Sequence, residues 1–215
     1  MTARRIQHAR ARGYTVVELM MALTILAIGV SGIIAMEKVT VAANQHAKSL
    51  AVASRIAEAW QEQLAADAAQ WNHPSEKQNK RDLDSDTTWL KLVDSNPGKW
   101  VRPQWSTARQ FGAAFDALGN PISESGASGT GGAGATLSQA VFCANIRLDW
   151  LYPDTAGNGL IRAQVRVFWV REGMGGTVNG KSVCDPGASP TNIGQAVTRY
   201  HFVYQTAAVK QQTAI

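Results

Sequence analysis

One carboxylate stands alone in the most apolar part of this 215-residue sequence. Glu18 is the only ionisable side chain between Tyr14 and Met36. If that stretch lies in lipid, the charge costs several kcal/mol, so it calls for a function and a partner. The chemistry open to it is pairing with a cation. If the chain is cut after Gly13, Tyr14 gains a free α-amine one helical turn from Glu18. In a neighbouring copy packed alongside, that amine and this carboxylate can pair. A buried pair of this kind sets register and alignment more than stability, because desolvation offsets much of the attraction.

The other reactive residue types are sparse. Cys143 and Cys184 are the two cysteines. Both lie after the apolar stretch, so a membrane span with its N-terminus inside puts both in an oxidising compartment, where a disulfide is expected. It would close a loop of roughly 40 residues and contribute about 4 kcal/mol by chain entropy. Two unpaired thiols are the alternative. Asp82, Asp84 and Asp86 have the spacing of the first ligands of a calcium loop, but Thr87 and Val93 stand where Gly and Glu are needed. The spacing therefore suits a solvated turn, with Asp86 capping the segment after it. His8, His46, His73 and His201 have no metal-ligand spacing. The Gly-rich stretch 126–134 lacks the Lys-Ser/Thr ending of a phosphate loop. No metal, no cofactor and no catalytic residues are expected.

The elements that must position Glu18 are legible. Residues 1–13 are polar and basic, with Arg4, Arg5, Arg10 and Arg12 and no acid. Residues 14–36 are almost wholly apolar and, as a helix of about 23 residues, reach roughly 35 Å, enough to span a bilayer. The arginines orient that span with its N-terminus in the cytoplasm. An ordinary secretory signal is the plainer reading, but the run is long and no A-x-A site comes after it. Within it Ala27, Ser31 and Ala35 repeat at four-residue spacing, which permits close helix packing, and Gly29 and Gly32 weaken the helix locally.

From Glu37 to Trp71 there is neither Pro nor Gly. Leu50, Ala53, Ala57, Trp60 and Leu64 fall on one helical face, so residues 37–71 form the amphipathic continuation of the same helix. A polar linker around 73–81 ends it. Trp89, Leu90, Leu92 and Val93 suggest a short helix or strand, Asn96-Pro97-Gly98 a turn, Phe111 to Phe115 a short strand, and Leu118-Gly119-Asn120-Pro121 its turn. Residues 123–138 read as a flexible loop. Residues 142–152 alternate with Ile146, Leu148, Trp150 and Tyr152 on one face. Residues 161–169 turn Ile161, Val165, Val167 and Trp169 inward and pair with them as a hairpin. Residues 199–205 form the last strand, with Tyr200, Phe202 and Tyr204 on one side. Arg147, Asp149, Arg162, Arg166 and Arg171 form a polar, solvated outer face. The fold class is α+β: a long N-terminal helix whose second half packs on an antiparallel sheet within a head of residues 72–215.

Charge adds one exclusion. Lys and Arg total 21 against 16 Asp and Glu, a net of +5. Without the leader the balance is 17 to 16, so no basic stripe is left on the body and nucleic acid is not an expected partner.

The run Gly13-Tyr14-Thr15-Val16-Val17-Glu18-Leu19-Met20-Met21-Ala22-Leu23 resembles the class III prepilin signature shared by type IV pilins and type II secretion pseudopilins. Tyr14 departs mildly from the usual Phe, and Met20-Met21 from the usual Leu/Val residues. The resemblance implies cleavage between Gly13 and Tyr14 by prepilin peptidase, N-methylation of Tyr14, and Glu18 as the assembly charge. It also implies a pilin-like, lollipop-shaped subunit without catalytic activity. The run from Thr24 to Gly32 is similar to minor pilins of the PilV type and to the pseudopilin GspI. The expected partners are other minor pilins, the major pilin, prepilin peptidase and inner-membrane lipids. The expected location is the inner membrane, with the head periplasmic, and then the pilus surface. The alternatives are a type II secretion pseudopilus and a membrane-anchored binding protein that never polymerises.

Overall fold

The computed structural model describes residues 13–72, 83–123, 137–153, 159–171, 177–178, 181–182, 184–185 and 189–210. It divides into a first unit ending at Ala47 and a second running from Lys48. The chain is α+β. Helix α1, Val16–Asn72, is succeeded by two single-turn helices, α2 (Leu83–Asp86) and α3 (Leu92–Ser95). The strands are β1 (Trp100–Val101), β2 (Ala114–Phe115), β3 (Phe142–Tyr152), β4 (Leu160–Val170), β5 (Thr177–Val178), β6 (Lys181–Ser182) and β7 (Tyr200–Lys210), with helix α4 (Pro190–Gln195) before the last. The main sheet runs β1-β3-β4-β7, with β2 also paired to β3. All its pairings are antiparallel.

In the second unit, α1 packs one face on that sheet. Ala53, Ile56, Ala57, Trp60, Leu64, Ala68 and Trp71 are buried against Ile146, Leu148, Ile161, Val165 and Val167. The spacing of three and four along α1 meets the alternation along β3 and β4, so the helical and the extended period bury the same surface. Indole rings supply much of that surface. Trp60 meets Trp89 and Phe111 edge-on at 5.1 and 4.9 Å, and Trp71 meets Trp150 at 5.9 Å. Gly159 admits this last pair, since a Cβ there would lie 2.6 Å from the Trp71 ring.

Several details depart from the sequence expectation. Leu50 is 44% exposed, because the covered stripe begins one turn later, at Ala53. The stretch from Phe111 narrows to the two-residue β2, and Phe111 instead bridges Ser106. Leu92 to Ser95, by contrast, takes the helical of the two forms expected there. The last strand continues to Lys210, paired along its length with β4. Leu137–Gln139 forms a 3₁₀ turn, while most of the expected loop 123–138 lies outside the described residues, as do the leader residues 1–12 and the linker 73–82, Asp82 included. Tyr152 is exposed at the end of β3. Tyr200 and Phe202 do share a face, but it is the face turned away from α1, packed with Phe168.

That second face is also fastened. Cys143 on β3 is disulfide-bonded to Cys184, and both are buried beside Ala113, Ala114, Ile122 and Ile193. Arg166 is the largest correction. The alternation of β4 predicts it in solvent, yet it is 2% exposed. Its guanidinium lies 4.5 Å from the Trp100 ring and near the Phe168 and Phe202 rings, and donates to the Pro190 carbonyl at 2.7 Å. Burial pushes its pKa down and the Tyr204 hydroxyl acts against that, but a guanidinium stays charged. The cation is held by ring faces and a carbonyl dipole, which explains how it survives inside. Arg147 and Arg162 do fit the polar-face expectation, both pairing with Asp149, at 3.3 and 2.6 Å.

Asp67 is buried at 0% exposure on the helix face that meets the core. Its carboxylate accepts the backbone N–H groups of Thr88, Trp89 and Leu90 at 3.0, 2.6 and 3.1 Å, and the Arg109 guanidinium at 3.3 Å. One side chain therefore ties α1 to two later segments. Asp67→Ala is expected to destabilise the protein by about 3 kcal/mol, since the donors are left buried and unpaired. Glu58→Ala, on the exposed face, is expected to change stability by less than about 0.5 kcal/mol. Urea denaturation monitored by near-ultraviolet circular dichroism measures both. Reducing the disulfide is expected to cost about 4 kcal/mol in the same assay.

Asp116 gives a pH signature. Burial raises its pKa, but the Asn120 side chain and the backbone N–H groups of Asn120, Leu118 and Gly119 outweigh this and hold it below 3.8. Its stabilising effect is therefore present above the unfolded value and is lost as pH falls through the lower folded value. Asp116→Asn is expected to flatten the fall in Tm below about pH 4, measured by calorimetry against the parent chain.

Candidate functional site

The first unit contains Gly13, Tyr14 and Glu18. Gly13, Tyr14 and Thr15 precede the helix, and α1 begins at Val16. Thr15 occupies the N-cap position. Its hydroxyl accepts the Glu18 backbone N–H at 3.2 Å, and its carbonyl accepts the Leu19 N–H at 3.2 Å. Thr15-Val16-Val17-Glu18 thus has the T-x-x-E order of a capping box, with the acid in the first turn, where the positive end of the helix dipole favours it. The helix start and the lone carboxylate are one local device.

Beyond Glu18 the helix satisfies its own polar groups. Thr24, Ser31 and Thr40 donate their hydroxyls to the carbonyls of Met21, Ile28 and Met36 at 2.8, 2.8 and 2.9 Å. Every residue from Gly13 to Lys48 is exposed, including Leu19, Ile25, Ile28, Ile33 and Met36. An added Cβ at Gly29 or Gly32 would meet nothing within 4 Å. Among the described residues, the chain supplies no surface to cover this apolar cylinder. Lipid tails or other apolar helices must do so, and the helix is long and apolar enough to cross a membrane. Among the described residues nothing pairs with the Glu18 carboxylate. It is left available for a cation from outside this segment.

Cys143 and Cys184 are brought together in the second unit, as expected for an oxidising compartment. Among the described residues no group of three His, Cys, Asp or Glu side chains is placed to hold a metal ion. His201 lies in β7 beside Trp169, 5.2 Å between ring centres. Two structurally decisive groups, Asp67 and Arg166, escape sequence reasoning as buried charges. Asp67 has a readable signal: 53, 57, 60, 64, 67 and 71 continue the three-four spacing, so an acid sits on the apolar stripe. Arg166 has none, because β4 alternates polar and apolar residues whether or not its second face is covered.

Residues 8–34 match the family model described as the prokaryotic N-terminal methylation motif. No curated protein and no solved structure matches the chain. The motif, the exposed apolar helix that carries it and the antiparallel head together support a structural protein of the type IV pilin-like or pseudopilin kind, anchored in a membrane through α1.

Proposed function

We propose that this chain is a minor type IV pilin of the PilV type, which takes part in priming, assembly or tip structure of the pilus. The observation that carries this is the first turn of α1. A Thr-capped helix begins right after Gly13-Tyr14-Thr15, its first turn lies inside the matched motif, and it places a single carboxylate, without a partner among the described residues, in an otherwise apolar segment.

The mechanism grows out of that placement. Prepilin peptidase removes residues 1–13 at the Gly13–Tyr14 bond, and the new Tyr14 amine is N-methylated. While the helix remains in the bilayer, Glu18 lies near its edge, where a charge costs less than at the centre. When the helix leaves lipid for a bundle of like helices, Glu18 pairs with a Tyr14 amine of a neighbouring subunit. The pair favours one axial alignment over others, and packing of apolar side chains supplies the association energy. The head, fastened by the Cys143–Cys184 bond, stays folded in the periplasm and at the surface. The partners on this reading are other minor pilins and the major pilin.

A type II secretion pseudopilin of the GspI type uses the same first turn, and the run from Thr24 to Gly32 supports both. Deleting the gene separates them: loss of surface pili with secretion intact is expected for the pilin. Glu18→Ala in the chromosomal copy is expected to lower pilus number at least tenfold, counted by electron microscopy, with the protein still in the membrane fraction. Unchanged pili and unchanged secretion would support a membrane-anchored binding protein instead. Intact-mass measurement of the membrane-bound chain is expected to give residues 14–215 plus one methyl group. Recovery of Met1 would sink the processing step.

A further inference from the structure

The Asp67 junction builds a cleft of about 510 Å³, walled by parts of 88–96 on one side and of 101–108 on the other. Bonds inside the protein fix both walls. Asp67 holds the first through the N–H groups of Thr88, Trp89 and Leu90. The Thr87 hydroxyl accepts the Lys91 N–H at 3.0 Å and donates to the Leu83 carbonyl at 2.6 Å. The second wall is a loop closed between Ser106 and Phe111, whose N–H groups donate to each other's carbonyls at 2.8 and 3.3 Å. The Ser106 hydroxyl also accepts the Arg109 N–H at 3.3 Å. Across the cleft, the Trp89 indole N–H donates to the Gln104 carbonyl at 3.4 Å. The cleft is therefore formed before any ligand arrives.

Its lining sets one indole among neutral hydrogen-bonding groups. Trp105 is half-buried there and seated against Gly112, where a Cβ would lie 2.9 Å from the ring. Any other residue at 112 would push the ring from its seat, so the backbone fixes where it lies. Thr88, Asn96, Gln104, Ser106 and Thr107 contribute hydroxyl and amide groups. The side chains of Thr88, Gln104 and Thr107 make no hydrogen bond among the described residues. Lys91 and Arg102 line the cleft too, but Arg102 is already engaged within the protein, so free charge does not choose the ligand. A neutral pyranose matches the set. One face of its ring is C–H groups that lie on an indole, and the hydroxyls around its edge donate and accept as amides and hydroxyls do. The volume falls in the range of small-molecule sites, about 300–1,000 Å³, and fits about one or two sugar rings.

We infer that this cleft binds a neutral sugar unit of a glycan, with Trp105 against the ring and Thr88, Gln104 and Thr107 on its hydroxyls. Nothing in this depends on whether the chain polymerises, so the test is independent of the pilin reading. Full-length protein in micelles of a sugar-free detergent, lauryldimethylamine oxide, is titrated with maltose, cellobiose, lactose and N,N′-diacetylchitobiose by isothermal titration calorimetry. Saturable one-to-one binding of at least one of them is expected, and Glu18→Ala is expected to keep it. Trp105→Ala is expected to weaken it about tenfold. Gln104→Ala and Thr107→Ala are each expected to weaken it about threefold. Gln104 and Thr107 are exposed, so both variants are expected to leave the thermal melt unchanged. The inference is overturned if none of the four sugars binds, or if binding survives Gln104→Ala and Thr107→Ala together undiminished. Tighter binding of digalacturonate than of every neutral sugar overturns it too, since that marks recognition by charge.

Discussion

Helix α1 has to satisfy two environments with one backbone. Up to Met36 it is apolar on every side, and its backbone groups and hydroxyls are bonded within the helix. From Ala53 onward only one face is apolar, and that face is buried on a sheet. A helix is the one local structure that meets both demands. In lipid every N–H and C=O must be paired within the segment, and in a water-soluble head a one-sided stripe must find a partner surface. The sheet, the order of its strands and the aromatic cluster at Trp60 answer the second demand, and the solitary Glu18 is intelligible only against the first.

The head resolves its own problem with two buried charges, and each does a different job. Asp67 collects three backbone donors and an arginine, which fixes the segments around Trp89 and Arg109 to the helix. Arg166 fills the second face of the sheet among Trp100, Phe168 and Phe202 and holds the carbonyl at the start of α4. A buried charge contributes little net stability when paired and costs much when stripped of its partners. Both charges therefore act as locks on a particular arrangement of short segments. The disulfide works beside Arg166 on the same face, and by chain entropy it opposes unfolding wherever the loop would otherwise be long.

The division of the apolar surface also explains how a small head tolerates so much irregular chain. Among the described residues only β3, β4 and β7 are long strands, and they carry the core. The rest, from α2 to β2, is a set of single turns and two-residue strands that could not stand alone. They are ordered because Trp89, Leu90, Val93, Phe111 and Phe115 enter the core laid down by α1 and the sheet.

The sequence by itself determined whatever depends on local order. The length of the apolar run, the stripe at 53, 57, 60 and 64, and the hairpin of β3 and β4 are all properties of neighbours a few residues apart. Period and turn chemistry express them directly. The tertiary structure alone decided where the stripe begins to be covered, which left Leu50 outside and brought Trp71 in. It also decided that Arg166 lies in a closed aromatic pocket, and that Thr88 to Leu90 and Arg109 converge on Asp67. These contacts join positions tens of residues apart, whose meeting depends on the order of strands in the sheet. Burial of a charge is a property of whatever arrives to cover it, and alternation along a strand is the same whether its second face meets water or protein.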